Sequence, residues 1–287
     1  KFDRNKIKIV HAPEVITNDD APVKAARTKK DSSLIRAISL VREKKCDFVI
    51  SAGNTGALMA GALFNLGRIP GIDRPAIGMT YPVIGRGISF LVDTGANAEC
   101  KPGNLLEFAT MGSIYMNKVL GVGSPTVGLV NIGSEEKKGT TMLKETYQLL
   151  KKSNLNFIGN VEARDIPKGV CDVVVCEAFV GNVILKLYEG VGATLISKVK
   201  AGMMSTLRSK IGALLVKPAL KETLKSFDAS EYGGAPLLGL KGLVVKAHGS
   251  SKANEIKNSL IQCITFSKED ICGKIQENMK QDNKGDN

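Results

Sequence analysis

The sequence predicts an α/β protein of three layers, α/β/α, with a mostly parallel sheet at the centre. Two observations carry this. Short β-branched runs alternate with helical patterns along nearly all of the 287 residues, and repeated strand–helix order builds parallel sheets covered on both faces. Most of the runs are also continuously apolar rather than alternating, which suits strands buried on both sides.

The strand runs are residues 6–10, 47–51, 76–81, 88–93, 126–131, 156–161 and 172–176, with 243–246 later. Between them, Leu34, Ile35, Ile38 and Val41 make a helical stripe with Arg36, Arg42 and Glu43 off it. Ser32 or Ser33 caps its start. Residues 56–66 are rich in Ala, Gly and Leu, so this helix is apolar on most sides and buried. Pro102 opens another helix reaching about residue 119. Helices over 140–152 and 182–203 follow. No internal repeat is visible. The polar end, 281–287, is expected to fray.

One segment differs. Met203, Met204, Leu207, Ile211, Leu214 and Leu215 share a helical stripe. Around it stand Lys198, Lys200, Arg208, Lys210, Lys217, Lys221 and Lys225 against a single acid, Glu222, and Pro218 then breaks the pattern. This reads as an amphipathic helix pair over 195–230 projecting from one α/β catalytic domain spanning 1–287. Ile211, Leu214, Leu215 and Val216 suit contact with an anionic membrane surface. A dimer or core contact with solvated lysines is the alternative.

The length allows a well-buried core, and 43% hydrophobic residues exclude disorder. No apolar run approaches the roughly 20 residues of a membrane span, and no signal peptide is visible, so a cytoplasmic enzyme is expected. Six cysteines without a C-x-x-C pair read as reduced thiols. Cys171 and Cys176, oddly spaced in one run, are expected on opposite sheet faces. The net charge of +12 favours acidic partners. Nucleic acid is disfavoured: aromatics are 5%, Trp is absent, and no zinc-finger, RNP or KH-like motif occurs.

Common enzyme motifs are missing. Gly85-x-Gly87 and Gly121-x-Gly123 lack the third glycine of a dinucleotide turn, where Phe90 and Thr126 stand. There is no Walker A, H-E-x-x-H or G-x-S-x-G sequence. With His11 and His248 alone, a multi-His metal site is excluded.

Small polar turns after apolar strands remain. They are Ser51-Ala52-Gly53-Asn54-Thr55-Gly56, Asp93-Thr94-Gly95-Ala96-Asn97, Asn131-Ile132-Gly133 before Lys137-Lys138-Gly139, Gly181-Asn182, and His248-Gly249-Ser250-Ser251. Ligands of open parallel sheets bind beyond the carboxyl ends of strands, and helix N-termini there favour anions. Asn54, Thr55, Gly56, Asn97, Asn131 and Asn182 are therefore candidates to hold a phosphate-sized anion, which Lys137 or Lys138 neutralises. Asp93 orients a donor or caps the next helix. His248 is a proton donor or a core histidine.

At these residues the sequence resembles the bacterial phosphate acyltransferase family of phospholipid synthesis. The matching stretches are Ser51-Ala52-Gly53-Asn54-Thr55-Gly56, Gly71-Ile72-Asp73-Arg74-Pro75, Asp93-Thr94-Gly95-Ala96-Asn97, Gly159-Asn160-Val161-Glu162-Ala163-Arg164-Asp165, Phe179-Val180-Gly181-Asn182, Tyr232-Gly233-Gly234-Ala235 and Lys246-Ala247-His248-Gly249-Ser250-Ser251. They run in the family's order over nearly the whole chain. The family opens with a strand and a D-x-M-G-G-D turn, and nothing like these precedes Lys1. The resemblance implies transfer of a fatty acyl group from acyl carrier protein to inorganic phosphate. It also implies a fold similar to isocitrate/isopropylmalate dehydrogenases and phosphotransacetylases, a homodimer and loose membrane attachment. Under this reading Asn182, Asp93 and His248 are the catalytic candidates. Phosphate is itself the nucleophile, so no Ser or Cys elbow, metal or nucleotide is required and no cofactor is expected. Two rivals are a dehydrogenase, for which no nucleotide site is found, and a non-catalytic adaptor using the basic helices.

Overall fold

The computed structural model describes residues 3–85, 87–226 and 232–282. The elements are α1 (Pro22–Thr28), α2 (Ser33–Arg42), β1 (Phe48–Ser51), α3 (Thr55–Leu66), β2 (Ala76–Val83), β3 (Gly87–Val92), α4 (Pro102–Lys118), β4 (Thr126–Asn131) and α5 (Thr141–Lys152). Then come β5 (Asn156–Glu162), β6 (Val173–Val175), α6 (Ala178–Met203), α7 (Leu207–Ser226), β7 (Ala235–Leu238), β8 (Leu243–Lys246), α8 (Ala253–Lys268) and α9 (Ile271–Asp282).

Among the described residues one eight-stranded sheet has the order β1-β8-β7-β2-β3-β6-β4-β5. The pairs β1·β8, β3·β6, β6·β4 and β4·β5 are parallel. The pairs β8·β7, β7·β2 and β2·β3 are antiparallel. The middle three pairings reverse the chain an odd number of times, so β1 and β8 run opposite to the β3-β6-β4-β5 block. Strand ends therefore do not all meet at one edge, as a uniformly parallel sheet would require. The two halves join through a short pairing, Ala76↔Leu238 and Ile77↔Leu237.

Side chains sort by strand parity. Phe90, Val92, Val127, Leu129, Val173, Val175 and Val245 enter one core with α4, α8 and α9. On the other face, Val49, Ile77, Leu237 and Val244 pack with α2 and α3, while Leu91, Val130 and Val174 pack with the turn carrying Ile166. This gives the three layers. Phe90 stacks on Tyr115 at 4.2 Å, and its ring occupies the place where a side chain at position 78 would stand, 1.9 Å away, so residue 78 has to be glycine. Ser32, rather than Ser33, caps α2 by accepting from the Ile35 amide.

Several expectations are corrected. Residues 6–10 form no strand: they find no ladder, and Ile9 is 90% exposed. The strand β7 was not expected, because Pro236 and a short run hide it, and neither α1 nor α9 was foreseen. Cys171 and Cys176 do not face opposite ways. The strand covers only Val173–Val175, and both cysteines bend into the cluster around Val174. All six cysteines are thiols. Pro218 does not end its helix: α7 continues through it to Ser226, and on an exposed helix water can satisfy the carbonyl that proline leaves unpaired.

The largest correction concerns α6. It is long and apolar enough, by length and composition, to cross a membrane. Its first turns nevertheless carry Asn182, Leu185 and Glu189 in the central cleft, so the helix cannot run through lipid from its start. The hairpin of α6 and α7 exposes Leu187, Leu195, Leu207 and Ile211. Leu214 and Leu215 are 71% and 76% exposed. That exposure removes the core-contact alternative. The Lys225 side chain, residues 227–230 and the end from 283 onward lie outside the described residues.

Candidate active site

A cleft of about 810 Å³ opens where the two halves of the sheet join. Its floor is Ile77 and Met79 of β2 and Ala235 of β7. Around it stand the ends of β1 and β8, the turn after β3, and the first turns of α6.

The turn after β3 is built around Asp93. The carboxylate is fully buried. Its Oδ1 accepts from the amides of Ile77, Gly95 and Ala96, and its Oδ2 from the amide and side chain of Asn97, at 2.7–3.1 Å. Burial pushes this carboxyl above its ordinary range, and the hydrogen bonds offset only part of that rise. Asn97 is also buried, and its amide is spent on Asp93 and the Pro75 carbonyl, 2.7 Å away. These two residues hold backbone. Asp93 offers no unused polar group to a ligand, and neither residue lines the cleft.

Helix α6 packs its N-terminus onto this turn. A side chain at Gly181 would meet the Asp93 carbonyl at 1.9 Å, so only glycine lets the helix approach. Asn182 then lines the cleft and donates to the Thr94 carbonyl at 3.2 Å. The N-terminus itself is already occupied by a carboxylate, because Glu177 accepts from the amides of Phe179 and Val180. Asn54 likewise caps α3, accepting from the Ala57 amide at 2.9 Å. Thr55, the next residue, lines the cleft. Gly56 faces Pro22 of α1, 2.9 Å from an added side chain, and serves helix packing.

The opposite wall carries less committed groups. His248 is exposed at the cleft, beyond β8. Its Nδ1 lies 2.7 Å from the Ser250 hydroxyl and accepts from the Ser250 amide at 3.2 Å. An amide can only donate, so Nδ1 is an acceptor and the neutral ring carries its proton on Nε2. Beside it, Lys246 is partly buried, and burial lowers its pKa. Among the described residues no carboxylate pairs with it; its ammonium donates to the Ala247 carbonyl. Lys186, also at the cleft, is paired with Glu189 at 2.9 Å.

The structure thus brings Thr55, Asn182 and His248 to one cleft, with Asn97 and Asp93 supporting it from behind. It does not bring Asn131, Lys137 or Lys138 there. Asn131 closes its own loop, accepting from the Ile132 amide and donating to the Lys138 carbonyl. Strand β4 is two places from β3 in the sheet, about 10 Å at ordinary strand spacing. Sequence reasoning missed Lys246, Gly233, Gly234 and Ser251 as lining residues. Their signal was present, since all four stand within the recognised motif stretches.

The fold is that of the phosphotransacylases. A phosphotransacetylase from Streptococcus pyogenes superimposes with a TM-score of 0.54 at 17% identity, covering 88% of this chain and 75% of that one. A phosphotransacetylase from Staphylococcus aureus gives 0.53 at 17%, covering 83% and 68%. In sequence, the fatty acid synthesis protein family matches residues 1–274. The phosphate acyltransferase of Clostridioides difficile is 55% identical over 98% of this chain and 82% of that protein. That of Alkaliphilus oremlandii is 55% identical over 96% and 82%. The chain belongs to the phosphate acyltransferase family and is an acyltransferase.

Proposed function

We propose that the enzyme transfers a fatty acyl group from the thioester of acyl carrier protein to inorganic phosphate, giving an acyl phosphate for phospholipid synthesis. The observation that supports this best is the cleft wall of Lys246 and His248, facing Thr55 and Asn182, in a chain 55% identical to a phosphate acyltransferase.

The reaction asks little covalent chemistry of the protein. A phosphate oxygen attacks the thioester carbonyl carbon, the C–O bond forms, and the tetrahedral oxyanion collapses as the C–S bond breaks. The protein must align two reactants and meet negative charge where it develops. Lys246 supplies a cation for phosphate, with the Thr55 hydroxyl and the Asn182 amide as neutral donors. The Nε2–H of His248 is free to donate a hydrogen bond to the oxyanion or the departing thiolate. Glycines 233 and 234 line the cleft, and a side chain at either would collide with the protein itself, Gln262 at 2.7 Å or Val245 at 2.4 Å, so they let this wall pack against α8 and β8.

The exposed face of the α6–α7 hairpin supports a peripheral membrane role on the cytoplasmic side, with the base of the hairpin in a homodimer. Leu214→Glu with Leu215→Glu should abolish binding to anionic vesicles while sedimentation still shows a dimer. Normal vesicle binding by that variant would sink the membrane role.

The activity is tested by incubating palmitoyl-acyl carrier protein with and without phosphate. Thiol release should require phosphate, and an equal amount of acyl phosphate should form from labelled inorganic phosphate. Phosphate-independent thiol release would mean a thioesterase and overturn the reading.

A further inference from the structure

A second groove, of about 570 Å³, runs between α1, α3 and the turn at residues 71–75. Met59, Leu63 and Phe64 of α3 and Val23 of α1 give it an apolar floor. It is continuous with the cleft, because Thr55 and Gly95 line both. In the other direction it shares Pro22 and Val23 with a shallow trough edged by Lys24 and Arg27. The Arg27 guanidinium sits 4.6 Å over the Phe64 ring, and Arg74 lines the groove from the 71–75 turn. Arg68 is used differently: it donates to the Asp73 carbonyl and pairs with its carboxylate, closing the 71–75 turn. Asn104 and Glu107 of α4 brace the same turn, through the Asp73 carboxylate and through the amides of Asp73 and Arg74. The recognised Gly71-Ile72-Asp73-Arg74-Pro75 stretch thus builds a groove wall, a task the cleft itself leaves unexplained.

The groove's chemistry is graded. Lys24 and Arg27 stand at the outer end, apolar side chains in the middle with Arg74 on the 71–75 wall, and the candidate reaction centre at the inner end. The donor of the proposed reaction has the same gradient. An acidic protein is joined through a phosphodiester to a thin, weakly polar arm that ends in the thioester. We propose that this groove admits the carrier's prosthetic arm, and that Lys24, Arg27 and Arg74 receive the carrier's acidic surface and phosphodiester. This rests on the acyl-transfer reading. It adds the face on which the carrier docks and the path of its arm. A carboxylate surface meeting arginines at a rim governs encounter more than chemistry, so the effect belongs in KM and in salt dependence.

The test compares two thioesters of one acyl chain, one on acyl carrier protein and one on N-acetylcysteamine, which has neither protein nor phosphodiester. In Arg27→Glu/Arg74→Glu, kcat/KM for the carrier thioester should fall about tenfold or more at low salt, and that for the small thioester by less than twofold. Val23→Trp fills the groove from an exposed position and should also slow the carrier thioester. It checks the route should the charge-reversed variant not fold. If either folded variant handles the carrier thioester normally, or slows both thioesters equally, the groove is not the arm's path. If the wild-type enzyme transfers acyl groups from neither thioester to phosphate, the acyl-transfer reading itself fails.

Discussion

The turn after β3 and the turn after β8 face each other across one cleft, yet they use polar residues in opposite ways. After β3, Asp93 and Asn97 are buried: the Asp93 carboxylate accepts from backbone amides, and the Asn97 amide donates to Asp93 and the Pro75 carbonyl. After β8, Lys246 and His248 keep a cation and an N–H that the fold does not consume. A polar side chain in a recognised motif therefore has two possible jobs. Burial and the hydrogen-bond ledger, rather than residue type, decide between them.

The largest effect should come from the scaffold side. Asp93→Ala leaves the amides of Ile77, Gly95, Ala96 and Asn97 without their acceptor. Orphaned buried donors cost about 1–3 kcal/mol each before relaxation, so a loss of at least about 3 kcal/mol is expected. For a chain of this size that lowers the melting temperature by about 10 °C. A variant that melts normally but lacks activity would move Asp93 from scaffold to chemistry and erase the contrast.

Next comes Lys246→Ala. Removing a charge-assisted contact to phosphate should lower kcat/KM for phosphate about 100-fold, with little change in melting. The pH profile sharpens this. Burial favours the neutral amine, so Lys246 loses its proton below the ordinary lysine pKa. The cation is present at low pH and lost as pH rises through that depressed value. The KM for phosphate should therefore rise on the alkaline side, earlier than an ordinary lysine would allow. Lys246→Arg should remove that limb. An alkaline limb that survives in Lys246→Arg belongs to another group.

His248→Ala should lower turnover about 10- to 100-fold at unchanged stability, because the ring is exposed and its one strong partner is Ser250. Ser250→Ala should cost only a few-fold, since it orients the ring without meeting substrate. If His248→Ala melts early, the residue is structural after all.

Much of this was legible in the sequence. The apolar runs gave β1 to β6 and β8 within a few residues; β2, β3, β4 and β6 are buried at most positions and have no polar face to blur the pattern. The stretches containing Asp93, Asn182 and His248 pointed to the cleft. What could not be read was partnership. Residues 6–10 have strand composition but no ladder, and the Pro236 strand has a ladder but poor composition. The antiparallel middle of the sheet is also a matter of long-range pairing. It breaks the inference that every glycine- or asparagine-bearing strand end converges on one ligand.

The smallest effect is expected where that inference was broken. Lys137 and Lys138 follow β4 in the loop that Asn131 closes. Lys138 lies 3.9 Å from Glu135 in an exposed pair, and such pairs contribute little. Neither lysine lines the cleft. A charge outside the cleft acts on phosphate only through solvent, and at about 0.15 M salt the screening length is roughly 8 Å, less than the two strand spacings separating β4 from β3. Lys137→Ala/Lys138→Ala should therefore change KM for phosphate by less than about twofold at that salt, with a somewhat larger change as salt is lowered. A rise of tenfold or more that resists salt would require direct contact. The loop would then have to close over the cleft during catalysis, and both walls, not the β8 side alone, would supply the anion site.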